Sequence, residues 1–386
     1  MKFCALPIFF LGLITSAAAQ SIGPGAMNSN GSNANAITTA VPFLTISPDA
    51  RSGAMGEAGV ALSADANAIY WNSSKLAHME NTSNMSASYT PWLQKLDNDM
   101  YVSFFSFAHK LSDRNAFGLS LKYFNLGEVN IYDENINSLG QYKPNEFTFD
   151  AAFARKFSNN FSLGLNLRYI NSSLTNMGEV EGRQVEQVDA VALDVSAYYK
   201  KPVKQFGYDA LLAFGANMSN IGEKINYSDS QNKYFLPTNL KVGMANTWYL
   251  DSKNELTFAL DLNKLLVPTP PVRNSTGAVI DGKDDNRSVV SGIFGSFGDA
   301  PGGFKEEFKE ISYASGLEYL YNKQFAVRAG YYYENPDKGA RNYLTLGAGL
   351  KYEMLDLNFS YLAGAADRSP LASTLRFSMI YNFTGK

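Results

Sequence analysis

The stretch FSLGLNLRY, residues 161–169, puts Phe161, Leu163, Leu165, Leu167 and Tyr169 on one side of an extended chain. Ser162, Gly164, Asn166 and Arg168 fall on the other side. Successive side chains of a strand point to opposite faces, so this is a strand with one apolar and one polar face. The pattern recurs in Leu256, Phe258, Leu260 and Leu262 against Thr257, Ala259, Asp261 and Asn263. It recurs in Phe325, Val327, Ala329, Tyr331 and Tyr333 against Ala326, Arg328 and Gly330. Leu375, Phe377, Met379, Tyr381 and Phe383 likewise oppose Arg376, Ser378 and Asn382. Extended over the chain, this reading predicts fourteen strands: 84–90, 100–110, 115–125, 147–157, 161–170, 190–199, 208–219, 236–249, 254–263, 311–320, 324–333, 342–352, 354–361 and 371–383. The second and seventh alternate least cleanly.

Period two also fits a soluble sandwich, and the connections separate the two readings. Leu111-Ser112-Asp113-Arg114, Ser158-Asn159-Asn160, Leu250-Asp251-Ser252-Lys253, Tyr321-Asn322-Lys323 and Glu353 are short links. Between them come longer ones, at 126–146, 171–189, 220–235 and 264–310. Outer-membrane barrels have short periplasmic turns and long outer loops, whereas a sandwich has no reason to sort its connections by parity. Most predicted strands have about the 9–11 residues that a tilted strand needs to cross a bilayer. The expected fold is all-β: a 14-stranded antiparallel transmembrane outer-membrane barrel. An even strand count predicts both termini on the periplasmic side.

The ends and the composition agree with export. Residues 1–19 read as a signal peptide: Lys2, then an apolar run, then Ala17-Ala18-Ala19 before Gln20. The one cysteine, Cys4, falls inside it, so neither disulfides nor thiol chemistry are expected in the mature chain. Residues 20–46, rich in Ser, Asn and Gly, read as a mobile leader. Residues 47–83 are Ala/Gly-rich and read as a compact, partly helical segment, and residues 84–386 as the barrel. A net charge of -3 argues against nucleic acid as a partner. The 23 tyrosines and 26 phenylalanines suit a membrane girdle at strand ends, with Tyr169, Tyr198, Tyr199, Tyr319, Tyr321 and Tyr331 to Tyr333 among the rings placed there.

The polar faces carry charges away from the strand ends. Lys122, Arg168, Lys241, Arg328 and Arg376 stand against Asp150, Asp194, Asp261, Glu318 and Asp356. Opposed charges in a confined lumen are expected to pair, since unpaired buried charge is costly. Fourteen strands lie between small filled barrels and the water-filled 16–18-stranded porins. A balanced charge network plus an inward-folded N-terminal segment would close such a lumen. Arg155, on an apolar face near a strand end, is placed to snorkel. Two candidate contact sites fall in the long loops. One is Trp92-Leu93, read as an exposed pair at the start of the first loop. The other is the 264–310 loop, with Phe294, Phe297, Phe304 and Phe308, which either pack within the loop and over the mouth or meet a partner.

Enzymatic constellations are not evident. Neither of the two histidines, His78 and His109, is placed beside a serine by the sequence. Asp281-Gly282-Lys283-Asp284-Asp285 lacks the alternating ligand spacing of a calcium loop. No zinc-ligand cluster and no phosphate-cradling glycine loop stands out, so no cofactor and no catalysis are expected.

Residues 47–77 read SPDARSGAMGEAGVALSADANAIYWNSSKLA, preceded by Ala40-Val41-Pro42-Phe43-Leu44. This resembles the N-terminal region of the PorV family, the FadL-type outer-membrane proteins of the Bacteroidetes type IX secretion system. The resemblance extends over essentially the whole mature chain. It implies that residues 47–83 form a plug, with Asp49, Arg51, Trp71 and Asn72 among its residues. It implies a non-enzymatic component that binds the C-terminal signal domain of cargo at the cell surface. Such a protein takes cargo from a large outer-membrane translocon barrel to a sortase-like attachment complex, where cargo is fixed to lipopolysaccharide. FadL-like proteins usually carry Asn-Pro-Ala where this chain has Asn72-Ser73-Ser74, so the rigidity of the proline is missing. The chain also continues past Phe383 with Thr384-Gly385-Lys386. The alternative within the same fold is a channel for hydrophobic small molecules such as fatty acids.

Overall fold

A computed structural model describes residues 35–94, 98–132, 138–174, 179–180, 183–184, 187–227, 233–364 and 373–383. The signal-peptide expectation for 1–19, and the leader up to residue 34, lie outside these residues. The described chain contains a closed barrel of fourteen strands. They are β1 Ser83–Pro91, β2 Met100–Lys110, β3 Asn115–Leu126, β4 Asn145–Lys156 and β5 Phe161–Ser173. Next come β6 Val188–Gln205, β7 Tyr208–Gly222, β8 Asn239–Tyr249, β9 Asn254–Leu265 and β10 Ile311–Tyr321. The last are β11 Phe325–Tyr333, β12 Asn342–Tyr352, β13 Leu355–Gly364 and β14 Leu375–Phe383. Each strand pairs antiparallel with its sequence neighbours. β1 closes on β14 in a ladder from Ser83↔Phe383 to Tyr89↔Phe377. Closure leaves no sheet edge, the condition for a sheet to stand in lipid.

The expected strands are all present, with shifted ends. β8 begins at Asn239 rather than 236, because the chain turns at Thr238, whose N–H donates to Leu236 O at 2.7 Å. β6 runs beyond the expected 199 and meets β7, which starts at 208 as expected, across Phe206-Gly207, both at positive φ, as a two-residue hairpin turn requires. The long loops hold structure of their own. Val129–Tyr132 pairs with Ser138–Tyr142, and Val272–Arg273 with Val279–Asp281. Two short helices, α3 Val289–Gly295 and α4 Phe304–Lys309, stand in the β9–β10 loop.

Residues 40–79 lie inside the barrel. Two single-turn helices, α1 Ala50–Ala54 and α2 Ala68–Trp71, and a 3-10 turn, Ser73–His78, carry this inner segment. Asp49 caps the first by accepting from Ser52 N at 2.9 Å. Asn72 caps the third in the same way, from Ser74 N at 3.2 Å. Inward hydroxyls of the wall take up the freed backbone groups. Ala50 N donates to Ser378 Oγ (2.8 Å), Gly56 N to Thr345 Oγ1 (2.9 Å), and Ser162 Oγ donates to Ser74 O (2.8 Å). This explains the weak alternation of β2. Its inward Val102 and Phe104 are buried against apolar residues of the inner segment, with the Tyr70 ring 6.5 Å from Phe104. Tyr198 and Tyr332, expected in the girdle by their place near strand ends, point inward and are buried, since neighbours on a strand alternate sides.

The inner segment crosses the lumen from one mouth to the other. Asn35 N donates to Asp337 O (2.9 Å) and Ala40 N to Phe235 O (2.9 Å), both among the long loops. At the short-turn end, Lys110 Nζ donates to Met79 O at 3.0 Å. β14 ends on the short-turn side at Phe383, and residue 35, the first described, stands at the opposite mouth, because the chain crosses the lumen once before β1 begins. The expected periplasmic position of the mature N-terminus lies outside the described residues.

Glycine permits the closest approach of this segment to the wall. A Cβ at Gly330 would lie 2.0 Å from Gly56 N and 2.3 Å from Met55 C, and one at Gly164 would lie 2.4 Å from Ser74 N. Backbone cannot yield as a flexible side chain can. Gly330→Val is therefore expected to cost about 3 kcal/mol, the upper range for overpacking, and to loosen residues 50–58. Denaturant unfolding in detergent, with limited proteolysis of the inner segment, measures both. Unchanged stability and protection would show that the wall accommodates a side chain there.

Candidate functional site

The inward charges divide into separate clusters. Arg168 bridges Asp150 (Nε–Oδ1 2.7 Å) and Asp194 (Nη2–Oδ2 3.0 Å), and Asn166 Nδ2 donates to both acids at 2.8 and 3.0 Å. Asn220 also accepts from this guanidinium. On the other side, Glu318 lies between Arg328 (Nε–Oε2 2.6 Å) and Arg51 of the inner segment (Nη2–Oε1 3.0 Å). Arg376 meets Glu57 at 2.9 Å. Burial pushes the Glu57 carboxyl up, but the charges of Arg376 and Arg341 outweigh it and hold the group below its ordinary value. Asp261 accepts from Gly59 N and Val60 N at 2.7 and 2.9 Å. Lys122 Nζ donates to Phe43 O (2.8 Å) and Ile46 O (2.6 Å). Lys241 Nζ lies 4.5 Å from the Trp71 ring centroid, and Trp71 Nε1 donates to Asp49 Oδ1 at 2.6 Å.

Of the lumen charges expected to pair, Asp150, Arg168 and Asp194 meet wall to wall around one guanidinium, and Glu318 and Arg328 form a second wall pair. Asp261 and Arg376 find their partners on the inner segment. Facing residues on adjacent strands are about 5 Å apart, so charges farther round the circumference need a bridge from inside. Arg51 and Glu57 supply that bridge, and Glu57 carried no signal in the strand pattern.

Asn72-Ser73-Ser74 is a hydrogen-bonded clip. Asn72 Nδ2 donates to Val60 O and to Ala197 O of β6, each at 3.0 Å. Ser73 Oγ lies 2.9 Å from Ser196 Oγ, and Ser74 N donates to the same hydroxyl at 3.0 Å. Side-chain bonds here do the fixing that a proline ring would do through φ. Downstream, His78 is buried edge-on to Tyr198 (5.3 Å), with neither ring nitrogen hydrogen-bonded. Burial first, then the charges of Lys200 and Lys156, lower its pKa to about 3. Burial likewise lowers Lys75 to about 8, with its ammonium held by Gly59 O at 2.7 Å. Below this segment a polar cavity of about 330 Å³ opens towards the short turns. Arg51, Asp65, His78, Glu255 and Glu318 are among its lining residues.

At the long-loop mouth, α3 and α4 form a platform. Ile293 is buried, whereas Phe294 is 75% exposed. Phe304 and Phe308 are 76% and 54% exposed and pack edge to face at 4.7 Å, and Phe297 is 52% exposed. Beneath them lies a base of buried ion pairs. Lys264 reaches Glu307 (3.0 Å) and Glu310 (2.5 Å), and Lys338 reaches Glu306 (2.6 Å) and Glu310 (3.0 Å). Glu307 also accepts from Asp299 N (2.8 Å) and Ala300 N (3.0 Å). The sequence reading missed this base. The signal was present in FKEEFKE, residues 304–310, where Phe304 and Phe308 fall on one helical face and Glu306, Glu307 and Glu310 on others. The other expected contact differs: Trp92 and Leu93 are half-buried, and Trp92 packs on the cluster around Val41, Phe43 and Phe124. The inner segment rises to this mouth and leaves apolar residues there that a tryptophan covers.

Two smaller expectations also change or sharpen. Ser83 Oγ lies 2.7 Å from His109 Nδ1, a contact that pairing of β1 with β2 creates and that sequence distance hid. The ring's other neighbours are Phe107 and Phe117, so it sits in an aromatic cluster rather than beside an orienting acid. Asp284 and Asp285 bind Arg273 Nη2 at 2.9 and 2.5 Å. Among the described residues no group of acids, histidines or cysteines is arranged to hold a metal.

The family model for the type IX secretion system protein PorV matches residues 29–272, more than half of the chain. No curated protein sequence matches the chain significantly. Solved structures similar to it include the toluene transporter TodX of P. putida, with TM-score 0.48, 10% identity, and coverage of 88% of this chain and 99% of that one. The toluene transporter TbuX of Ralstonia pickettii gives 0.45 and 11%, covering 87% and 98%. A Pseudomonas aeruginosa FadL homologue gives 0.45 and 10%, covering 88% and 99%. At these scores the fold rests on the strand pairing of this chain itself.

Glu318→Gln removes the charge between two arginines and is expected to cost roughly 3 kcal/mol, the scale of breaking a buried pair. The exposed Asp281→Asn is expected to change little. Denaturant midpoints in detergent compare the two, and equal midpoints would mean that water already screens the Glu318 cluster. The folded state favours neutral His78, with its pKa at about 3 against 6.5 unfolded. The unfolded chain therefore binds the extra proton first, and stability is lost as pH falls below 6.5. His78→Phe is expected to flatten the wild-type decline between pH 6.5 and 5, read by thermal unfolding. Parallel pH curves for the two proteins would refute the assignment.

Proposed function

Because this chain belongs to the PorV family of type IX secretion system proteins, we propose that it is an outer-membrane docking protein whose long-loop platform binds the C-terminal signal domain of secreted cargo. The observation that carries this reading is the set of exposed phenylalanines on α3 and α4 above a base of buried ion pairs. Exposed aromatic residues held by rigid support are the composition of binding hot spots. Long loops outside and short turns in the periplasm are the usual arrangement of outer-membrane barrels, so the platform faces the cell surface. From there it receives cargo from the translocon barrel and passes it to the sortase-like attachment complex that fixes it to lipopolysaccharide.

In this reading residues 47–83 are a plug. Asp49, Arg51, Trp71 and Asn72 lock it to the wall and to itself through the contacts described above. The barrel then serves as a scaffold, not a conduit. The polar character of the inner cavity and the clip at Asn72-Ser73-Ser74 favour docking over a channel for fatty acids.

The test replaces Phe294, Phe297, Phe304 and Phe308 together by serine. The variant is expected to stay folded, to leave signal-bearing cargo unprocessed, and to bind a purified signal domain at least about tenfold more weakly, the equivalent of 1.4 kcal/mol. Normal processing with full binding would remove the platform from the function. Normal export in a strain lacking the protein would defeat the docking role altogether.

A further inference from the structure

We infer that the outer wall across β11–β14 and β1 carries a groove that holds an acyl chain of an outer-membrane lipid. A concavity of about 720 Å³ lies on the outward faces of these five strands. Pair registers order its lining into two rows. Val327, Ala348, Phe359, Phe377 and Tyr89 stand side by side in one. In the other, Met379 and Ala87 are paired at the far end. Ala348 and Ala87 are the short side chains of these rows and form the floor, while the rings of Phe325, Phe359, Phe377 and Tyr89 rise around them.

The chemistry of the site selects its occupant. The lining carries no charged side chain. The groove is continuous with the apolar outward residues that face the bilayer, where water is absent. Left empty, its lining would lose dispersion contacts on one whole side. Hydrocarbon is the class of matter available to fill it. A cavity of about 150 Å³ lined by apolar residues already binds benzene, so this volume takes a chain several times as long. A chain lying in the concavity touches more protein than a chain on the convex wall beside it. That difference in contact makes this lipid slower to exchange than its neighbours. The groove lies beside the short β10–β11 and β12–β13 turns, on the periplasmic side in the topology proposed above, so the chain it takes is that of a phospholipid of that leaflet.

The inference concerns the outward wall and is independent of the platform. The protein is purified from native membranes in mild detergent, exchanged extensively, and weighed by native mass spectrometry with lipid extraction. Wild type is expected to keep a stoichiometric phospholipid, identified by its mass, and retained lipopolysaccharide instead would overturn the proposed occupant. Ala348→Phe and, separately, Ala87→Phe fill the floor and are expected to lower retention about tenfold. Leu344→Phe, on the outward face of β12 beyond the groove, is expected to retain it. Heat-dependent mobility in SDS gels reports that each variant is folded. Wild type without lipid, or retention that ignores both floor variants, would overturn the inference. So would a protein that copurifies with wild type and is lost with Ala348→Phe, which would make the groove a protein interface.

Discussion

A barrel of fourteen strands lies between small barrels filled by their own side chains and the water-filled porins of 16–18 strands. Everything else in this structure follows from how its lumen is occupied. The inner segment brings backbone amides, carbonyls and charged side chains, Arg51 and Glu57 among them, into a lumen already lined with charge. Three inward wall groups meet them: Glu318 meets Arg51, Arg376 meets Glu57, and Asp261 meets two backbone amides. These are buried ion pairs and charge-assisted hydrogen bonds, individually weak evidence for stability but strongly specifying for position. They hold the segment in one register, and wall glycines such as Gly330 let it approach to backbone contact.

The same segment couples the two mouths. At the long-loop end it supplies Val41, Phe43 and Leu44 to a cluster that Trp92 covers, and Lys122 is held by its carbonyls. At the short-turn end it leaves His78 buried above a polar cavity. The platform is built by a different device. Its acids and lysines come from β9, α4 and the β11–β12 loop, so burying them ties three elements together and frees the phenylalanines to face outward. A loop of 45 residues between β9 and β10 becomes a rigid support by this means. Rigidity matters for docking because less ordering entropy is lost when a partner arrives.

The sequence by itself determined the strand rhythm. Alternation as clean as that of residues 161–169 and 325–333 reflects a wall with lipid on one side and a polar lumen on the other, and that contrast is written into every second residue. The parity of short and long connections, and the family resemblance in residues 47–77, came from local sequence in the same way. Where the rhythm blurred, as in β2, the cause was an apolar neighbour from a remote part of the chain. Strand ends shifted where local turns, such as that at Thr238, took over. Only the tertiary structure decided which charges meet, that residue 35 stands among the long loops, that Trp92 is half-buried while Phe294 and Phe304 are exposed, and that Ser83 touches His109. Each of these depends on groups far apart in sequence and brought together by closure of the barrel around its inner segment, and period-two patterning carries no information about distance around a ring.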